Sequence, residues 1–149
     1  MDKSPEWHSR ATRMLLMLSM GLYIFALTQY GLLGEGGGYR QDQMGWQLLV
    51  FGFFTINEYP TWLANPVLFT AWILSFLVKH RPAAYFSVAS VLLMLSALLI
   101  ETVDIDPTPV VMKVTGYGIG YYSWLASAVT LLAGNTVFAL QPGHKRNNP

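Results

Sequence analysis

The sequence predicts an all-α polytopic membrane protein: one domain of four transmembrane helices, with a short interfacial or re-entrant helix after the first. Three observations predict it. Charged residues make up 11% of the 149 and hydrophobic ones 53%, whereas a water-facing domain carries about a quarter charged residues. Four apolar runs have the length needed to cross a hydrocarbon core of about 30 Å. The basic residues gather at alternate boundaries of those runs.

The first run is residues 14–33. It is longer than the apolar stretch of a signal peptide and is followed by Gly34-Glu35-Gly36, a poor cleavage site, so it is expected to stay in the chain. The second run is residues 62–78, closed by Lys79-His80-Arg81. Pro66 lies inside it, and proline both lacks an N–H and restricts the residue before it. A helix beginning at Pro66 is too short to span, so this one is expected to begin near Pro60 and to loosen around Asn65. The third run is residues 83–100, with Pro82 at its opening, where proline is tolerated. The fourth is residues 119–140, closed by Pro142-Gly143. All four are apolar all round, as buried or lipid-facing helices are.

Between the first two runs lies an apolar segment, about residues 45–56, too short to span and therefore expected at the interface or re-entrant. The remaining outer segments, 34–61 and 101–118, read as loops. Gly36-Gly37-Gly38 opens the first, and the prolines of Asp106-Pro107-Thr108-Pro109 favour extended chain in the second.

Orientation follows from the basic residues. Lys3, Arg10, Arg13, Lys79, Arg81, Lys145 and Arg146 fall on one side, and only Arg40 and Lys113 on the other. The positive-inside rule puts the larger group, with both termini, in the cytoplasm. Glu35, Asp42, Glu58, Glu101, Asp104 and Asp106 all fall outside.

The combination Gly45-Trp46…Leu48-Leu49…Gly52, Trp62-Leu63-Ala64-Asn65-Pro66 and Tyr117-Gly118-Ile119-Gly120-Tyr121…Trp124-Leu125-Ala126-Ser127 resembles a group of small uncharacterised bacterial four-span membrane proteins. The likeness covers most of the chain after residue 44. It implies a bacterial inner-membrane protein of similar topology and carries no activity, cofactor or site residue with it.

The chemistry is sparse. The formal net charge is +1, so nothing points to nucleic acid. There is no cysteine, hence no thiolate metal site or thiol nucleophile. No nucleotide-binding, metalloprotease or serine-hydrolase motif occurs. His8, His80 and His144 lie at predicted ends or turns, so no haem or metal ligand is expected within the bilayer, and no cofactor. No Asp, Glu, Lys, Arg or His falls inside the four runs, which counts against a proton-coupled transporter.

What remains is of two kinds. Glu58, Glu101 and Asp104 stand at outer boundaries, where paired carboxylates would bind a hard cation or a lipid headgroup, or do acid–base work. The plainer reading is that acids mark the solvated edge. Along the fourth run Ala126, Thr130 and Gly134 recur every four residues, with Ser123 and Ser127 beside them. Small residues at that spacing let helices approach closely, within one bundle or against a partner. Ser87, Ser90 and Ala97 do the same in the third run. Asn135 is expected to bond across helices, and Asn65 either to cap its own helix or to bond across.

Elimination leaves a non-enzymatic accessory protein that acts by helix–helix contact with another membrane protein or with itself. Immunity-type protection against a membrane-active toxin belongs to this class. A small oligomeric transporter or channel is the second reading. A lipid-active enzyme using Glu58, Glu101 or Asp104 is the third.

Overall fold

A computed structural model describes residues 4–55, 59–105 and 110–140. Of these residues 72% are helical, but the chain is not all-α. It carries a five-stranded antiparallel sheet, built from the end of the first apolar run and from both segments that read as loops.

The helices come first. α1 (Ser4–Leu27), α3 (Ala64–Phe76), α4 (His80–Ser96) and α5 (Ile119–Leu140) form the bundle. α5 lies between α1 and α4, α4 packs on α3, and α3 closes back more lightly on α1 and α5. Three helical stretches, Arg10–Leu27, His80–Leu99 and Ile119–Leu140, are long and apolar enough to cross a membrane. α3 is shorter, 13 residues, but a four-residue 3-10 turn, Pro60–Leu63, runs directly into it. A short helix does follow the first: α2 (Gly45–Phe51), extended by a 3-10 turn, Gly52–Thr55.

α1 stops at Leu27, not at Leu33. The apolar run continues, but Tyr30–Gly36 is strand β1. Gly31 and Gly34 disfavour helix there, and an apolar run alone does not separate strand from helix. β1 turns back into β2 (Tyr39–Arg40) through Gly37 and Gly38, with Gly36 opposite Tyr39. Both glycines have positive φ, 61° and 82°, as a two-residue type I′ hairpin turn requires. β3 (Gln43–Met44) continues along the same edge of β1. On the other edge β1 pairs with β5 (Val110–Tyr117), which pairs in turn with β4 (Thr102–Ile105).

The sheet caps one end of the bundle. Tyr117 and Tyr121 donate to the Ala97 and Met94 carbonyls of the His80–Leu99 stretch, at 2.7 and 3.1 Å. Burial, and then the neighbouring Tyr122, raise the Tyr117 phenol above its ordinary pKa, so it stays a donor. Gly118 links β5 to α5: its N–H donates to the Gly31 carbonyl at 3.0 Å, and a Cβ there would overlap the Tyr30 carbonyl. Arg10, Arg13, Lys79 and Arg81 stand at the opposite end, whereas Arg40 and Lys113 lie on the sheet.

The core is small-residue packing with a few large side chains. Leu16, Tyr23, Ala64, Leu68, Ala71, Met94, Ala128 and Leu131 form it. Tyr23 meets Phe69 and Trp72 edge-on, with ring centres 5.4 and 5.2 Å apart. Outside, the helices present Met14, Met17, Ile24, Ile73, Leu92 and Val137. A surface of that kind suits hydrocarbon rather than water.

At the far end α3 turns into α4 through Leu77 and Val78. Val78 N–H donates to the Ser75 carbonyl and Lys79 N–H to the Leu74 carbonyl, at 3.0 and 2.9 Å. This is a Schellman closure. Its left-handed position is held by Val78, φ 60°, where glycine is the usual occupant.

Candidate functional site

The polar side chains of the bundle lie along one seam, in three groups running from the sheet to the far end. Nearest the sheet is Asn65 on α3. Its Oδ1 accepts from Tyr23 Oη on α1 at 3.0 Å and from Trp124 Nε1 on α5 at 3.1 Å. Its Nδ2 donates to the Trp62 carbonyl at 3.2 Å. That carbonyl lies four residues before Pro66, which has no N–H to offer it. Asn65 therefore both repairs the gap left by the proline and joins three helices. It bonds across helices; it is not the cap residue, which is Leu63.

The middle group centres on Ser19. Its hydroxyl donates to the Ser127 carbonyl at 2.7 Å and accepts from Trp72 Nε1 at 2.9 Å. Ser127 in turn donates to the Trp124 carbonyl at 2.6 Å. Nearby, Ser90 on α4 reaches the Ala64 carbonyl of α3 at 3.1 Å.

The third group centres on Asn135 near the end of α5. Its Oδ1 lies 2.9 Å from Ser75 Oγ, which also faces the Ala71 carbonyl at 2.8 Å, so two acceptors share one proton. His80 Nδ1 lies 3.3 Å from the same Oδ1, a bond that needs the proton on Nδ1. Asn135 Nδ2 donates to Ser87 Oγ at 3.4 Å, and Ser87 donates to the Ala83 carbonyl. A recess lined by Thr12, Leu15, Ser75, Gly134, Asn135 and Phe138 opens beside this group, with room of only ≈ 10 Å³.

The small residues of α5 divide. Gly134 is buried against Leu15 of α1, whose Cδ1 would stand 3.0 Å from an added Cβ. Ser123 and Ser127 are buried as well, whereas Ala126 and Thr130 are half-buried. A bulky residue at 134 would therefore push α1 off α5 and would not report on an outside partner. Ser87, Ser90 and Ala97 are all buried in the bundle.

Of the outer carboxylates, Glu101 is exposed just past the His80–Leu99 stretch. Asp104 sits in β4 opposite Val111. Glu58 lies outside the described residues. Among the described residues no three His, Asp or Glu side chains stand close enough to hold a metal ion.

A different charged row appears on the sheet. Cross-strand register sets Glu35 of β1 between Arg40 of β2 and Lys113 of β5. Arg40 pairs with Asp42. Beside the row, where the β1–β5 register slips between Leu33 and Gly34, a cleft of ≈ 220 Å³ is lined by Leu33, Gly34, Glu35, Arg40, Asp42 and Thr115. Sequence reasoning missed this grouping, although Arg40 and Lys113 stood out as the only basic residues on their side.

The chain matches no protein-family model, no curated protein and no solved structure among those compared with it.

Proposed function

We propose that this chain is a non-enzymatic integral membrane accessory protein, which crosses the bilayer four times and acts by binding another membrane protein. The observation that carries the reading is the closure of the polar seam. Asn65, Asn135, Ser19, Ser75, Ser87 and Ser127 bond to one another, to neighbouring indoles and phenols, or to backbone. Polar groups at membrane depth that line a conduction path must face water or solute. These face each other, which favours a solid bundle over a pore within one chain.

The fourth crossing is α3 with the turn Pro60–Leu63 before it. An even number of crossings places both termini on one side, and the positive-inside rule makes that side the cytoplasm. The sheet then projects on the opposite side. With the resemblance drawn from residues 45–127, the host membrane is a bacterial inner membrane. A role in protection against a membrane-active toxin fits this class. The half-buried Ala126 and Thr130 offer a close-approach face to a partner helix.

The test is mild in-cell crosslinking, purification from native membranes and mass spectrometry of the intact complex. A defined partner at fixed stoichiometry, lost on Thr130→Leu while the fold persists, is the expected result. Solute or ion flux through liposomes holding this protein alone would overturn the reading in favour of an oligomeric transporter.

A further inference from the structure

α2 and the 3-10 turn after it expose more large apolar side chains than a short connection needs. Trp46, Val50 and Phe54 stand four residues apart, and Phe51 and Phe53 flank them; all five are exposed, Phe54 to 77%. No charged residue occurs from Gln43 to Thr55. The opposite side of the segment is engaged. A Cβ at Gly31 would stand 2.7 Å from Leu48, and Trp62 Nε1 donates to the Leu49 carbonyl at 2.7 Å.

The position of the segment is fixed at the ends of the bundle helices. Gly45 N–H donates to the Gln29 carbonyl at 2.8 Å, just past α1. A Cβ at Gly45 would overlap the Ala26 carbonyl in the last turn of α1. Phe53 meets the Trp62 ring edge-on, centres 5.3 Å apart, at the entrance to α3. The segment therefore starts against the end of α1 at which Ile24 and Phe25 are also exposed.

We infer that Trp46–Phe54 forms a wedge sunk into the acyl chains of the leaflet on the sheet's side, so that the partner of this surface is lipid. The inference rests on the chain's being a membrane protein and is independent of which side is the cytoplasm. Two observations choose lipid as the occupant: the segment is anchored against the last turn of a membrane-length helix, and it contains no charge over its whole length. Interfacial segments hold themselves by such buried apolar area, and tryptophan favours the headgroup level. The wedge fixes the depth of the sheet, because β3 runs into α2 with no intervening residue.

The chain has no cysteine, so a nitroxide can be placed at single engineered sites in the otherwise unaltered protein. Phe54→Cys and Val50→Cys test the wedge in phosphatidylcholine liposomes, through collision rates with oxygen and with a water-soluble nickel chelate. Met17→Cys, 71% exposed on α1, and Tyr39→Cys, 78% exposed on β2, are the references. Labels at 54 and 50 are expected to favour oxygen as the label at 17 does, while the label at 39 favours the chelate. Preference for the chelate at 54 and 50, with oxygen still preferred at 17, overturns the wedge alone. Shielding from both reagents at 54 and 50 also overturns it, since protein then covers the row. Preference for the chelate at 17 overturns the membrane reading on which the wedge rests.

Discussion

Removing the Asn65 side chain should weaken the bundle, because it joins α3 to both α1 and α5. Asn65→Ala strands three partners at once: Tyr23 Oη, Trp124 Nε1 and the Trp62 carbonyl. Side-chain hydrogen bonds between membrane helices average about 0.6 kcal/mol each, with a maximum near 1.7. The two bonds to other helices and the local one to the Trp62 carbonyl, taken at that value each, together give about 2 kcal/mol. The vacated volume adds roughly 0.5–1 kcal/mol at about 24 cal/mol per Å³. The expected loss is therefore about 2.5–3 kcal/mol, read from reversible unfolding in mixed detergent micelles followed by circular dichroism. Tyr23→Phe removes one of the three bonds with little change of shape and should cost about 0.6–1.7 kcal/mol. In the Asn65→Ala background the same change should cost almost nothing, because the bond is already gone. Additive costs across that cycle, or an Asn65→Ala loss below about 1 kcal/mol, would refute the central place given to this residue.

Four further outcomes follow from the backbone and the close contacts. Val78→Gly should raise stability by about 0.5–1 kcal/mol, since a left-handed residue costs about 1–2 kcal/mol that glycine escapes, less the entropy glycine loses on folding; an unchanged unfolding midpoint would contradict the strain. Gly118→Ala should lose most of the folded protein in a detergent-extraction assay, because its Cβ would overlap the Tyr30 carbonyl, whereas Gly21→Ala, with nothing within 4 Å, should gain about 0.5–1 kcal/mol from helix propensity. Gly134→Leu should destabilise the bundle by about 1–3 kcal/mol through overpacking against Leu15, measurable with no partner present; a variant of wild-type stability would place Gly134 on an outer face instead.

The helices were legible in the sequence and the sheet was not. Apolar runs and the flanking basic residues mark α4 and α5 closely, and the proline in the second run announced its irregular start. The same logic overran α1, because Tyr30–Leu33 stays apolar after the helix has stopped. Two signals for the sheet were nevertheless present. Gly37-Gly38 is a two-residue hairpin turn, and Met112 and Val114 alternate with the exposed Lys113 and Thr115 along β5. Both are short-range patterns that a search for spans passes over. Of the seam, Asn65 and Asn135 stood out as amides in apolar surroundings. That they would meet Tyr23, Ser75, His80, Ser87 and Trp124 was not legible, since which turn of one helix meets which turn of another is settled only by packing. Glu101 and Asp104 drew attention by charge, yet the grouping that forms on the sheet is Arg40, Glu35, Asp42 and Lys113, set by strand register.

The pairing of the first helix with the last has a consequence for how the protein is made. α1 and β1 lead into each other through Thr28 and Gln29, as β5 and α5 do through Gly118, and the two rods lie side by side from sheet to far end. The hydrogen bond from Ser19 to Ser127 closes a separation of 108 residues. A ribosome adds about 5–20 residues per second, so for roughly 5–20 s after its synthesis α1 exists without its main neighbour and β1 without β5. Throughout that interval Ser19 lacks its α5 partner, the Ser127 carbonyl, and one edge of β1 is open to any passing strand. Until the final helix is threaded beside the first, the nascent chain is a substrate for whatever shields unfinished membrane proteins, and a truncation that removes α5 would leave it in that condition permanently.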